Sequence, residues 1–128
     1  MSSNTSDPQV LVIGVDPNTM GGGFDPAPVG AAIEAGMVKL AEHAVNAQAC
    51  LFGVDGSDDP EAMVTAALQE RPWACVVIGV GLRKSEPMLE LFERVVNLSR
   101  QHAPGAAIAF NATIPDFYEA AARWLDRP

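Results

Sequence analysis

Basic residues are scarce in this 128-residue chain: Lys and Arg number 8 against 16 Asp and Glu, for a net charge of −8. A surface of that sign repels phosphate backbones and anionic lipid, so neither nucleic acid nor a membrane is an expected partner. Cysteine and histidine are scarcer still, with two of each. Cys50 and Cys75 form no C-x-x-C pair, and their neighbours Ala49, Leu51, Ala74 and Val76 are apolar, which reads as buried free thiols rather than a disulfide or a metal site. No run approaches the roughly 18 uninterrupted apolar residues of a membrane span. Residues 1–9 are polar and carry neither the basic patch nor the apolar run of a secretory signal, so the expected compartment is the cytoplasm.

Nucleotide fingerprints are missing as well. The triplet Gly21-Gly22-Gly23 resembles a phosphate cradle, but Pro26 breaks the G-x-G-x-x-G spacing and no Gly-Lys-Ser/Thr follows. Asp16 and Asp55 would suit the acidic pocket of a phosphorylated receiver domain, yet the chain offers no fifth strand with its lysine. The residues therefore name no cofactor.

What the chain does have is the composition of a globular domain, 48% hydrophobic and 19% charged. The expected organisation is a flexible N-terminal segment over 1–8 and a single α/β domain over 9–128. Four short apolar runs, 10–15, 49–54, 74–80 and 106–110, lack polar alternation, the mark of strands covered on both faces. The first three share an ending, Val-Ile-Gly-Val-Asp, Leu-Phe-Gly-Val-Asp and Val-Ile-Gly-Val-Gly, which reads as recurrence of one β-α unit.

Helical patterns separate these runs. Val29, Ile33, Met37, Leu40 and Ala44 trace one apolar stripe, and Lys39, Glu42, His43 and Asn46 the opposite polar one. A second helix opens at Asp59-Pro60-Glu61 and ends before Pro72. The third starts near Ser85, buries Met88, Phe92, Val95 and Val96, and sets Glu90 and Arg94 at ion-pair spacing. The last follows Thr113-Ile114-Pro115-Asp116, a capping-box spacing with Thr113 as cap, and buries Phe117, Ala121, Trp124 and Leu125. Trp73 is expected in the core with them. Right-handed crossovers then favour a three-layer α/β/α sandwich on a four-stranded, mainly parallel sheet in the flavodoxin-like or Rossmann-like order 2-1-3-4.

That order places strands one and three side by side, and their carboxyl ends flank the crevice where open α/β sheets bind ligands. Asp16, Asn18, Asp55, Ser57, Arg83, Lys84, Ser85, Asn111 and Thr113 fall in loops on this edge. Cys50 and Cys75 are expected at the opposite edge, and His43 and His102 on helices, so a Cys-His or Ser-His hydrolase is disfavoured. The first loop, 16–26, exceeds the usual length and reads either as a surface loop or as a lid that orders around ligand.

Arg83-Lys84 is the informative pair. Arg71, Arg100, Arg123 and Arg127 sit toward helix carboxyl ends, where the dipole favours them, and Lys39 and Arg94 on solvated stripes. Arg83-Lys84 are expected ahead of a helix, where the dipole is already positive, so they pair either with Asp16, Asp55 or Glu86 or with an anion. Asn111, just after a buried strand, either bonds the neighbouring loop or meets a ligand.

Three segments, Val12-Ile13-Gly14-Val15-Asp16-Pro17, Cys75-Val76-Val77-Ile78-Gly79-Val80-Gly81-Leu82-Arg83 and Ala109-Phe110-Asn111-Ala112-Thr113, together resemble a group of small uncharacterised bacterial α/β proteins. The resemblance implies the same fold and draws the eye to Asp16, Arg83 and Asn111.

Two functional readings follow. The first is a small-molecule-binding domain, or an enzyme, that takes an anionic metabolite between the loops after strands one and three. Asp16, Asn18, Arg83, Lys84, Ser85 and Asn111 are its candidate ligand-binding residues, and Asp16 or Glu86 the nearby acid or base. The second is a homo-oligomeric or protein-interaction module, with a homodimer through the unguarded fourth strand or the last helix.

Overall fold

In the computed structural model, which describes residues 7–125, the apolar runs form one sheet in the order β2-β1-β3-β4. Its strands are β1 (Gln9–Val15), β2 (Asn46–Phe52), β3 (Cys75–Ile78) and β4 (Ala107–Phe110). Every pairing is parallel, with Ile13 opposite both Cys50 and Ile78, and Val77 opposite Ala109. The expected sheet and strand order are therefore observed.

Strand periodicity divides the core in two. Leu11, Ile13, Cys50, Phe52, Val76 and Ile78 point to one face, and Val10, Val12, Cys75, Val77 and Ala109 to the other. The first face packs against α2 (Pro60–Gln69) and α4 (Leu89–His102), through Val64, Leu68, Val95 and Leu98. The second packs against α1 (Pro26–Glu42) and α5 (Phe117–Leu125), through Leu40, Phe117, Ala120 and Ala121. Between β3 and α4 runs a single helical turn, α3 (Val80–Arg83).

The helix starts follow from local chemistry. Asp25 and Asp59 accept the backbone N–H of Ala27 and Ala62 at 3.1 and 3.2 Å, and each is followed by proline in the first helical turn. At α5, Asp116 reaches back to the Thr113 N–H at 3.3 Å, the acidic half of the expected capping box. The Glu90–Arg94 pair forms at 3.7 Å, and Arg94 also meets Glu61 on α2 at 3.2 Å.

Several expectations need correction. β2 begins at Asn46, because the Asn46 N–H donates to Pro8 O and Arg71 bonds the Gln48 side chain, partners that let a polar segment join the sheet edge. Cys50 therefore lies in the carboxyl half of its strand rather than at the opposite edge, whereas Cys75 does open β3. α1 ends at Glu42, and Ala44 turns out of it with φ 60°. Lys39 and His43, read as solvated, face α5: Lys39 pairs with Glu119, and His43 stacks on Tyr118 at 3.8 Å between ring centroids. Trp124 is 46% exposed and not core. β3 stops at Ile78, so Arg83 and Lys84, which do precede the helical stretch opening at Ser85, also close the α3 turn, and α4 itself starts only at Leu89 after a 3-10 turn over Glu86–Met88. Most of the expected N-terminal segment, residues 1–6, and Arg127 lie outside the described residues, while Pro8 is tied to β2.

Candidate functional site

The carboxyl edge is built around glycines that lie inside apolar runs. Gly14 falls near the end of β1 and Gly79 just past the end of β3. The Gly79 N–H donates to Ile13 O at 2.8 Å, and a β-carbon on Gly79 would stand 3.2 Å from that oxygen and 3.6 Å from the Gly14 Cα. Close approach of the two backbones, not a left-handed conformation, is what glycine permits here. With side chains missing from neighbouring strands, the space above them stays open.

That space is a cavity of about 230 Å³. Its sides come from Val29 and Ile33 on α1, Val80 and Leu82 on α3, and Ile114 and Phe117 at the start of α5, while Met20 and Phe24 reach in from the first loop. Met20 and Phe24 are 40% and 41% exposed, so they border the cavity rather than seal it. Among the described residues that line it, Asn111 has the one polar side chain.

The first loop is anchored at its start. Asp16 donates its N–H to Phe52 O at 2.8 Å, and its carboxylate accepts from the backbone and side-chain nitrogens of Asn18 at 3.0 and 3.1 Å. The Thr19 hydroxyl donates to Asp16 O at 2.7 Å and accepts from the Val54 N–H at 3.1 Å, joining the loops after β1 and β2. Beyond it Gly21, Gly22 and Gly23 all take positive φ, which explains the triplet without a phosphate. In the second loop, Asp55 accepts from the Ser57 N–H and hydroxyl at 3.0 and 2.5 Å, and these bonds lower its pKa from the ordinary carboxylate value.

The structure brings Arg83 and Asn111 together. Arg83 Nη2 donates to Asn111 O at 2.7 Å, so the partner of the cation is a backbone carbonyl and not Asp16, Asp55 or Glu86. Lys84 is exposed, and Ser85 leads into the 3-10 turn without a side-chain cap. Asp16, Asn18, Arg83, Lys84 and Ser85 stand around the edge without lining the cavity, whereas Asn111 lines it. The apolar wall, above all Ile33, Ile114 and Phe117, was read from the sequence only as helix stripe and turn. Glycines embedded in otherwise unbroken apolar strands were the available signal for it.

Neither thiol lines the cavity. Burial pushes Cys75 up to about 11, and burial together with the charge of Asp58 raises Cys50, so both are held as neutral thiols at physiological pH. Among the described residues no group of three or more His, Cys, Asp or Glu side chains is placed to hold a metal ion, and no helix is long and apolar enough to cross a membrane. No protein-family model matches the chain, no curated protein matches it, and no solved structure matches it.

Proposed function

We propose that this protein binds a small molecule with an apolar body at the carboxyl edge of its sheet, between the loops that follow β1 and β3. The observation that carries the reading is the apolar cavity of about 230 Å³ at the switch point of the strand order, where open parallel sheets receive their ligands. An apolar cavity of about 150 Å³ is enough to take up benzene, so this one suits a ring with a short substituent. Arg83 and Lys84 prompted the expectation of an anion. With Arg83 committed to Asn111 O and neither residue lining the cavity, an uncharged body fits better. The reading is one of binding, since among the described residues that line the cavity Asn111 has the one polar side chain.

A thermal-shift screen of single-ring and fused-ring compounds tests it, run in parallel on the wild type and on Gly14→Val. A β-carbon on Gly14 makes only an ordinary 3.5 Å contact with Leu51 Cδ2, so the variant is expected to fold with a smaller cavity. A ligand at a hundredfold its Kd adds about 2.7 kcal/mol to wild-type stability. Stabilisation that survives in Gly14→Val would place binding elsewhere.

A second reading, self-association through β4, draws on its place at the end of the sheet, where among the described residues it pairs with β3 alone. Light scattering at high micromolar concentration separates the two, since a monomer removes it.

A further inference from the structure

The polar element of the cavity has its orientation set by its neighbours. Asn111 is 1% exposed, and its Nδ2 donates to the carbonyl oxygens of Thr113 and Ile114 at 2.9 and 3.3 Å. Both partners are acceptors only, so the amide cannot be turned over: nitrogen must face them, and Oδ1 must take the other side. The backbone is held as well, by Arg83 Nη2 on Asn111 O. What remains is Oδ1, buried and with no hydrogen-bond partner in the structure. Native proteins seldom leave such an acceptor dry.

We infer that Asn111 Oδ1 selects the ligand, which brings it a neutral hydrogen-bond donor, a hydroxyl or an N–H group, on an apolar ring-sized body. The inference rests on the cavity reading above and adds the chemical class of the ligand. A carboxylate or phosphate carries acceptor oxygens and would set lone pair against lone pair at Oδ1. An ammonium would lose its hydration in a wall that supplies no counter-charge. A hydroxyl or N–H meets Oδ1 at the smallest desolvation penalty. Arg83 Nε is also buried without a partner, but Arg83 does not line the cavity and so does not present this donor to a ligand there.

Matched probes test this without altering the protein. Indole and benzofuran share one bicyclic shape, and the second replaces the N–H donor by an oxygen; benzoate supplies the anion. Each is titrated into ¹⁵N-labelled wild-type protein while the side-chain amide of Asn111 is followed by NMR, with Gly14→Val as the filled-cavity control. Indole is expected to bind about tenfold more tightly than benzofuran, to shift the Asn111 amide, and to be lost in Gly14→Val, with benzoate weakest. Equal affinity for indole and benzofuran, or preference for benzoate, overturns the donor inference while leaving the cavity reading in place. Failure of all three to bind, or indole binding that persists in Gly14→Val, overturns both.

Discussion

The ring of Phe117 occupies the space that a β-carbon on Gly36 would need, with Cδ2 only 2.6 Å and Cε2 3.0 Å from that position. Gly36 is buried in the middle of α1, and Pro115 O crowds the same point at 3.1 Å. Glycine thus lets α1 and α5 approach closely enough to grip the ring that also forms one side of the cavity. Gly36→Ala is expected to destabilise the fold by about 1–3 kcal/mol, because overpacking outweighs alanine's helix propensity. Urea unfolding measures it, and Phe117→Leu in the same background should recover part of the loss.

Arg71 joins the amino-terminal edge of the sheet. Its Nη1 and Nη2 donate to the side-chain oxygens of Gln9 and Gln48 at 3.1 and 3.0 Å, and its guanidinium carbon lies 5.1 Å from the Trp73 ring centroid. Lysine has no planar fork to reach both glutamines. Arg71→Lys should therefore lower stability by about 1 kcal/mol in urea unfolding, roughly the net worth of the hydrogen bond it loses.

The Asp59 cap is a cleaner local test. Asp59→Ala removes the acceptor for the Ala62 N–H and should cost about 1 kcal/mol. Asp59→Asn, which keeps a capping oxygen, should recover most of that in the same measurement.

Alkaline stability reports on the buried thiols. In the folded protein Cys75 titrates at about 11, against an ordinary value of 9.0. Between those values the unfolded chain has released the proton and the native state still holds it, so stability falls as pH rises from about 9 to 11 and is unaffected by this group below that window. The fall attributable to Cys75 is about 2–3 kcal/mol, and the raised Cys50 adds to it in the same direction. Cys75→Ala should flatten the decline in a pH series of urea unfolding curves. An unchanged slope would show that Cys75 is not the cause.

The fold was legible because strands buried on both faces read as unbroken apolar runs, and parallel connections leave few ways to order them. Errors fell where polar residues find partners that sequence cannot display. Asn46 reads as the end of a helix's polar stripe and Gln48 falls outside the apolar run until Pro8 O and Arg71 meet them. Arg83 reads as a cation ahead of a helix, and only the fold shows that it also ends the α3 turn and has Asn111 O in front of it. The cavity was harder still to see, since it consists of what Gly14 and Gly79 omit, bordered by side chains from α1, α3 and α5 that are distant in sequence.

The tie made by Thr19 divides the cavity wall into two kinds of surface. Up to that residue the first loop is bound to the sheet and to its neighbour, whereas Met20 and Phe24 flank three successive glycines that take positive φ and have open space where a β-carbon would stand. The floor is thus set by backbone hydrogen bonds, and the roof by a stretch whose backbone is least restricted by side chains. For the proposed ligand this means tolerance and strictness reside in different places: the roof adapts to the bulk of an apolar body, and the floor beside Asn111 holds one hydrogen-bond demand constant across whatever sizes the roof admits.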